Sequence, residues 1–331
     1  MYDGKSSYHS INCKAFHICG ILNKEHEEKK GMRPLKFLKN TIIILLVIGI
    51  ILGGSYVIWT LIMPDNWESK LQTALDTPKD SGITGEAYDD FDVTYYPYYN
   101  FLSTEGKRLY GQVYANALAY ETSFVPVVEL SVSEVSNVVK TVFHDHPELF
   151  WMDSGFTYKY TKDNICTHIV LQFNETVGYI EKAQKEFHEK ANSIIDGASM
   201  LSSDYEKEKY VYNAIIAIAE YDEQATVNQS PYSALVNGKS VCAGYARAFQ
   251  YIMIELGIPT YYCAGMSEGH AWNIVKLENG YYNVDLTWDD EKGTEKTYFN
   301  RTDDSLGRSH NRSGYSVLLP KCNATQYAKT Q

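Results

Sequence analysis

The sequence predicts an α+β protein whose folded part follows one transmembrane helix. Three observations support this prediction. A run of 23 uncharged residues, Thr41 to Met63, lies near the N-terminus. Beyond it, some segments place apolar residues at helical spacing, and others alternate apolar and polar residues as strands do. The chain has 331 residues, 44% of them hydrophobic and 21% charged, which is a globular composition that can form a large core.

The uncharged run is long enough to cross a membrane. As a helix it would span roughly 34 Å, and the hydrocarbon core of a bilayer is about 30 Å thick. A buried soluble helix of this length would normally carry a polar stripe, which this run lacks. A cleaved signal peptide is the alternative, with Gly53–Ser55 as the small residues of a cleavage site, but the apolar run continues to Met63. We therefore favour a transmembrane helix over residues 41–63.

Charge is unevenly distributed around this helix. Residues 1–40 carry eight Lys and Arg against four Asp and Glu, whereas the whole chain has a net charge of -11. The basic flank of a transmembrane helix tends to stay in the cytoplasm. Residues 1–40 are therefore predicted to be a cytoplasmic tail, and residues 64–331 are predicted to lie outside the cytoplasm. We thus expect a single-pass protein of the cell membrane. The acidic balance argues against a nucleic-acid partner. Whether translation starts at Met1 or Met32 stays open.

Three regions are predicted beyond the membrane. Residues 64–100 are acidic and rich in turn formers, which indicates a stalk. Residues 101–200 form an N-terminal extracytoplasmic α/β region, and residues 201–331 form the last domain, which opens with a helix at Asp204. In the N-terminal region, helices are predicted over residues 101–119 and 178–195. A further helix is predicted to begin at Ser131, in a capping-type Ser-x-x-Glu, and to end at about His144. A β-hairpin is predicted with its turn at residues 162–164.

The segment GKSVCAGYARAF, Gly238 to Phe249, places Cys242 at the start of a predicted helix. Apolar residues recur at helical spacing after it, and Gly257 ends the helix. The unpaired amides and the dipole at a helix N-terminus favour a thiolate, which is the nucleophilic form of cysteine. The small Ala243 and Gly244 are expected to leave room for a substrate. A buried structural cysteine would give the same local pattern.

A histidine and an aspartate follow on two predicted strands. In GHAWNIVKLENGYYNVDLTWDD, two strands are predicted, His270–Leu277 and Tyr281–Trp288. His270 opens the first strand, and Asp285 lies within the second. Covalent acyl transfer needs a thiol, an imidazole that takes its proton and a carboxylate that orients the imidazole. Cys242, His270 and Asp285 are therefore the candidate catalytic residues.

The spacing of the two strands raises a difficulty. Asn279-Gly280 is a strong hairpin dipeptide, and a two-residue turn there would place Asp285 opposite Ile274. His270 would then lie four residues, roughly 13 Å, further along its strand. A bulge, strong coiling or a different register must close that gap.

The sequence resembles the transglutaminase-like superfamily, and specifically its membrane-anchored bacterial members. Three segments carry this resemblance, in this order: the cysteine segment quoted above, HAWN and VDLTWDD. The likeness covers roughly residues 90–330. It implies a papain-like α+β core, in which a cysteine-bearing helix packs on an antiparallel sheet, and the triad Cys242, His270 and Asp285. The backbone amide of Cys242 is one expected oxyanion donor, with the side chain of Asn237 as another candidate. Trp272 and Trp288 are expected to pack the core or to line the cleft.

The resemblance implies a membrane-anchored, extracytoplasmic cysteine enzyme that acts on amide bonds of proteins or peptides through a thioester. Water would resolve the thioester in a peptidase, which we slightly favour, and a lysine amine would resolve it in a transglutaminase. The expected partners are the membrane and a protein or peptide substrate, cell-wall proteins included. The alternative is a catalytically idle cell-surface module that binds peptide or glycan.

No cofactor and no metal ion are expected. His144 and His146 form a His-x-His pair, but no carboxylate or cysteine lies at ligand spacing and Pro147 ends the helix here. This pair is therefore expected to be a structural corner. The loop pattern of an EF-hand calcium site is also not recognisable in the sequence.

Overall fold

The computed structural model describes residues 91–265, 269–292 and 296–328, with the side chains of residues 291 and 292 left out. The predicted cytoplasmic tail, the predicted transmembrane helix and most of the predicted stalk lie outside these residues. None of the helices in the described ranges is both long and apolar enough to span a bilayer. The last ten residues of the predicted stalk are described, and they pack onto the folded part, where Tyr98 is fully buried.

The first part of the described chain contains helices and one antiparallel sheet. The elements are α1 (Pro97–Asn100), α2 (Thr104–Leu118), β1 (Ser123–Phe124), α3 (Val132–Asp145), β2 (Met152–Tyr160) and β3 (Cys166–Phe173). The sheet has the strand order β1-β3-β2. Helix α3 begins as predicted, because Ser131 and Glu134 form a capping box around its first turn. The predicted hairpin is confirmed as the β2–β3 pair.

Two long helices connect this part to the cysteine region. They are α4 (Ile180–Ser199) and α5 (Asp204–Ile218), which follow a 3₁₀ turn at Glu175–Tyr179. Short strands β4 (Glu220–Tyr221) and β5 (Lys239–Ser240) then pair in parallel, with a π-helical turn at Ser233–Asn237 between them. Helix α5 begins at the predicted residue, with the Ser203 side chain accepting from the Glu206 amide as its N-cap.

The last part of the described chain carries a second antiparallel sheet. Helix α6 (Cys242–Glu255) precedes β6 (Thr260–Ala264), β7 (Ala271–Leu277) and β8 (Gly280–Val284), which form a sheet in the order β6-β7-β8. Helices α7 (Leu286–Lys292) and α8 (Asp303–Leu306) follow, with 3₁₀ turns at Gly307–His310 and Gly314–Leu318. The segment after Asp285 was predicted to continue as a strand, and this prediction is wrong because it forms α7.

Helix α6 ends just before Gly257, with Leu256 as its C-cap, so the glycine marks the stop as predicted. Gly257 has φ +75°, and its amide donates to the Ile254 carbonyl at 2.8 Å while the Ile258 amide donates to Met253 at 2.9 Å. This pair of bonds is a Schellman motif, in which glycine adopts the left-handed conformation without a steric cost. The helix therefore stops where the chain must turn into β6.

The main hydrophobic core is the largest of three clusters of buried apolar residues in the described ranges. It contains Leu109 of α2, Phe187 of α4 and Phe249 of α6, each fully buried. Helix α6 packs its apolar side chains against β6 and β7, so the start of α6 is held beside the N-terminal end of β7. Residues on both sides of the predicted boundary at 200 contribute to this core, and the division into two domains stays a prediction.

A buried carboxyl in this core gives a prediction about stability. Burial raises the pKa of Glu208 to about 8, although Asn300 Nδ2 donates to its Oε2 at 2.9 Å. A carboxyl with a raised folded-state pKa stabilises the fold less as the pH climbs from its unfolded value of 4.5 to about 8. We expect Glu208→Gln to change stability little at pH 5 and to add on the order of 4 kcal/mol at pH 8.5. Urea unfolding measures both values, and an equal change at the two pH values would contradict the prediction.

Candidate active site

Cys242 is the first residue of α6, as the sequence predicts. Val241 precedes it in an extended conformation as the N-cap, so the first amides of the helix have no acceptor within the helix. The Cys242 side chain is half-buried and packs in a small apolar cluster with Phe143, Tyr262 and Ala271. A sulfur here meets the positive end of the helix dipole and remains accessible from one side.

The small residues after Cys242 do not open the site. Ala243 is only 7% exposed. A Cβ at Gly244 would lie 2.8 Å from the carbonyl oxygens of Asn228 and Ser230. The expectation that these residues leave room for a substrate is therefore wrong: Gly244 lets the start of α6 pack closely against the loop before it.

His270 lies immediately before β7. Its Nε2 is 2.6 Å from Oδ2 of Asp285, so Nδ1 is the ring nitrogen that remains to face Cys242. The imidazole lies nearly parallel to the rings of Trp288, at 5.0 Å and 22°, and Trp272, at 6.0 Å and 20°. These two rings fix the plane of the imidazole, and its side chain is only 10% exposed.

The register of β7 and β8 closes the gap that the sequence left open. Leu277 pairs with Gly280 and Asn273 with Val284, so the turn consists of residues 278–279 and not of Asn279-Gly280. Continuing this register places Asp285 opposite Trp272, two residues from His270 instead of four. Diagonal neighbours on one face of a sheet lie about 7 Å apart, which the two side chains can span. The different register, one of the three options above, is the one found.

Asp285 is held at both carboxylate oxygens. It follows β8 and caps α7, with Oδ1 accepting from the amides of Thr287 at 3.0 Å and Trp288 at 3.2 Å. Its Oδ2 contacts two imidazoles, His270 and His310. Burial acts to raise the pKa of Asp285, but the hydrogen bonds from the two histidines outweigh it and the net pKa is below its usual value. The carboxylate is therefore ionised and fixed in orientation.

The pKa of His270 lies well above that of a free imidazole. Burial lowers it, but Asp285 and the Cys242 thiol raise it more strongly, and the result is about 10. At neutral pH this ring therefore carries a positive charge. This positive charge lies beside the side chain of Cys242, the predicted nucleophile.

The remaining cysteines of the described residues differ from Cys242. Cys166, Cys263 and Cys322 are free and buried. Burial raises the pKa of Cys263 to about 12 and also raises those of Cys166 and Cys322. Buried thiols of this kind react slowly, so they serve as internal controls for Cys242.

His310 is a site residue that the sequence analysis missed. It ends the 3₁₀ turn at Gly307–His310, and its Nε2 lies 3.0 Å from Oδ2 of Asp285. No local pattern marked it, because it lies 25 residues beyond Asp285 in an irregular segment. The two tryptophans behave as expected: Trp272 is buried and donates from Nε1 to Asn283 at 3.0 Å, whereas the half-exposed Trp288 lines the site beside His270.

The His144–His146 segment is the expected structural corner. Asp145, between the two histidines, is buried and accepts from the amides of Tyr98 and Tyr99 and from the Tyr110 hydroxyl. His146 Nδ1 lies 2.6 Å from Glu148. These contacts hold the end of α3 in place.

One group of side chains in the described ranges has the composition of a metal site. The ligand atoms of His270, Asp285 and His310 all lie within 4.8 Å of one another. However, an ion bound at about 2.1 Å would hold its ligand atoms roughly 3 Å apart or more, and the His270–Asp285 contact is 2.6 Å. That spacing is a proton-bearing hydrogen bond, so we assign the three residues to a hydrogen-bond network. Asn237, the other candidate oxyanion donor, is exposed at the end of its π-helical turn.

The fold and the site define a class: a mixed α+β domain in which a helix starting at a cysteine packs on an antiparallel sheet that positions a histidine and an aspartate. Residues 189–286 match the family model of the transglutaminase-like superfamily. This part of the chain is therefore similar to that superfamily, as the sequence motifs indicate. Cys242, His270 and Asp285 all lie within the matched residues.

We describe two of the solved structures that match part of the chain. One is the crystal structure of a TGase, with 12% identity and a TM-score of 0.28 over 53% of this chain and 56% of that chain. The other is a protein from Cytophaga hutchinsonii provisionally assigned as a cysteine protease, with 16% identity and a TM-score of 0.25 over 37% of this chain and 51% of that chain. The matched parts cover about half the length of each structure. No curated protein matches the sequence.

Proposed function

We propose that the protein is a cysteine enzyme that cleaves or exchanges amide bonds of proteins or peptides. The observation that carries this proposal is the arrangement of His270. Its Nε2 forms a hydrogen bond of 2.6 Å with the buried Asp285, and its other ring nitrogen, Nδ1, faces Cys242 at the start of α6. This is the arrangement that covalent acyl transfer requires.

The chemistry follows from the three positions. The Cys242 thiolate attacks the carbonyl carbon of the amide, and the electron pair of the C=O bond moves to oxygen. The backbone amide of Cys242, at the helix N-terminus, donates to that oxyanion. His270, protonated at Nδ1, gives its proton to the departing amine as the tetrahedral intermediate collapses to a thioester. Asp285 holds the imidazole in orientation and stabilises its charge.

The second half of the reaction uses the same groups. His270, now neutral, takes a proton from the incoming nucleophile, which attacks the thioester carbon and releases the Cys242 thiolate. Water gives a carboxylic acid and makes the protein a peptidase. A lysine amine gives a new amide and makes it a transglutaminase. Both routes balance without a cofactor.

One assay separates these routes. The purified full-length protein is incubated with casein and a biotinylated primary amine, and both amine incorporation and new peptide N-termini are measured, with Cys242→Ala as the matched control. We expect at least one product from the wild type and none from the variant. Absence of both products together with an unreactive Cys242 would favour the other candidate, an idle surface module that binds peptide or glycan.

We also propose that the domain acts outside the cytoplasm, anchored by residues 41–63, with protein or peptide substrates of the cell surface or cell wall as its partners. The support is the uncharged run and its basic N-terminal flank. Protease added to intact cells that express the protein with a C-terminal epitope should remove the epitope. Full protection of the epitope, while known surface proteins are cut, would contradict this topology.

A further inference from the structure

The carboxylate of Asp285 contacts two imidazole rings, although a catalytic triad needs only one. The carboxylate oxygen Oδ2 lies 2.6 Å from His270 Nε2 and 3.0 Å from His310 Nε2. The side chain of His310 is 2% exposed, so this second contact is built into the interior and is not a surface encounter. A buried carboxylate shared by two rings gives each ring a weaker acceptor than it would have alone.

Both ring nitrogens of His310 have hydrogen-bond partners. A carboxylate can only accept, so His310 Nε2 donates to Oδ2 of Asp285 at 3.0 Å. On the other side of the ring, Nδ1 lies 2.9 Å from the Ser309 hydroxyl, which is itself 2.8 Å from the carbonyl oxygen of Leu306. His310 is therefore held at both ends and presents an N–H donor to the carboxylate.

The aromatic rings around His310 also hold His270. Trp272 and Trp288 contact His310 edge-on, at 4.8 Å and 4.7 Å between ring centroids, and they lie nearly parallel to the His270 ring. Tyr298 stacks on His310 at 5.7 Å and 26°. The same two indole rings therefore fix both imidazoles on one carboxylate.

We propose that His310 is a positioning residue for the reaction: it holds Oδ2 of Asp285 in place and offsets part of its negative charge, which adjusts the proton affinity of His270 and Cys242. This inference rests on the proposed function. It adds a residue that acts through Asp285 and does not touch the substrate.

The sign of the effect follows from the charges. The titratable groups that face this network belong to several elements: Cys242, Tyr212, His270, Asp285, Asp289 and Tyr298. Removing a hydrogen-bond donor leaves the negative charge of the Asp285 carboxylate less compensated, which favours the protonated forms of its neighbours. Without His310, the thiolate of Cys242 should form at higher pH and the His270 imidazolium should also persist to higher pH.

The test compares His310→Leu with His310→Gln. Glutamine keeps an N–H donor near the position of Nε2, whereas leucine keeps none. The rate of Cys242 alkylation by iodoacetamide is measured from pH 4 to pH 10 on the full-length protein by peptide mapping. For His310→Leu we expect both midpoints of the profile to rise by about 0.5–1 pH unit. At a fixed pH below the lower midpoint, the alkylation rate should fall roughly three- to tenfold.

Controls make the outcome specific. His168 also bonds a side chain, the Ser123 hydroxyl at 2.7 Å, but it lies on β3, so His168→Leu should leave the profile unchanged. His310→Gln should shift the profile less than His310→Leu, and it serves as the test if the leucine variant does not fold by circular dichroism. A folded variant with the wild-type profile overturns the inference alone. A wild-type Cys242 that alkylates no faster than Cys263 overturns the proposed function, and the inference with it.

Discussion

Cys242→Ala is expected to abolish turnover of every amide substrate, with a loss on the order of 10⁴-fold or more. The variant removes the nucleophile, and neither His270 nor Asp285 can form the thioester in its place. Because the side chain is half-buried and alanine is close to it in volume, the loss of stability should stay within about 1 kcal/mol. Product formation from casein and the urea midpoint measure the two effects.

The matched control for this variant is another cysteine of the same domain. Cys263 on β6 is fully buried, so Cys263→Ala should cost stability through the space it leaves and should spare turnover. Full activity in Cys242→Ala would show that the assignment built on this cysteine is wrong. Loss of activity in both variants without unfolding would point to a role for Cys263 that the structure does not suggest.

Asp285→Asn is expected to lower turnover by roughly 10²- to 10⁴-fold. An asparagine has one carbonyl oxygen, and Asp285 uses two acceptor oxygens: Oδ1 for the amides of Thr287 and Trp288, and Oδ2 for the two imidazoles. The variant must give up either the cap of α7 or the contact to the rings. Steady-state rates on casein measure the loss.

The same variant has a signature in its pH dependence. The pKa of His270 is raised partly by Asp285, so without that charge it should fall from about 10 and the imidazolium should be lost at lower pH. In the wild type, the ionised Asp285 stabilises the fold above its unfolded pKa, and this stabilisation is lost as the pH falls through its lower folded pKa. The variant should lack this stabilisation as well. Asp290→Asn is the control, since Asp290 lies on the same helix and bonds the Tyr245 hydroxyl. A full rate in Asp285→Asn would contradict the role given to this carboxylate.

Local signals predicted most of the elements that build the site. The capping box at Ser131 and the glycine stop at Gly257 act over a few residues, so they are readable from the sequence alone. The position of Cys242 at a helix start follows from the same kind of signal. Each of the three predicted site residues lies beside a recognisable helix or strand, and the structure brings His270 and Asp285 into contact. Their catalytic role stays a prediction.

The turn between β7 and β8 could not be predicted from its dipeptide. The dipeptide Asn279-Gly280 favours a turn in which these two residues are the central pair. In the structure, Gly280 instead opens β8, with φ +137°. A Cβ there would lie 3.0 Å from the Cβ of Ala324, so the glycine permits a close approach of the C-terminal segment. The turn therefore lies one residue earlier than the dipeptide indicates, which moves the strand partner of Asp285 from Ile274 to Trp272 and brings Asp285 closer to His270.

His310 was beyond sequence reasoning for a similar reason. Its contact with Asp285 depends on how the irregular segment after α8 returns to the sheet, and no periodicity records that path. The capping role of Asp285 was missed because the residues after it were predicted as a strand. In both cases tertiary packing determined the site, whereas the local pattern determined only the elements.

The rate of iodoacetamide alkylation at each cysteine, measured on the native full-length protein at pH 7, tests the central claim most directly. The claim is that His270 holds Cys242 ready as a nucleophile. The account predicts that Cys242 alkylates at least tenfold faster than Cys166, Cys263 and Cys322, and that His270→Ala removes most of this advantage. Equal rates at Cys242 and these three cysteines, or a fast Cys242 that His270→Ala leaves unchanged, would contradict it.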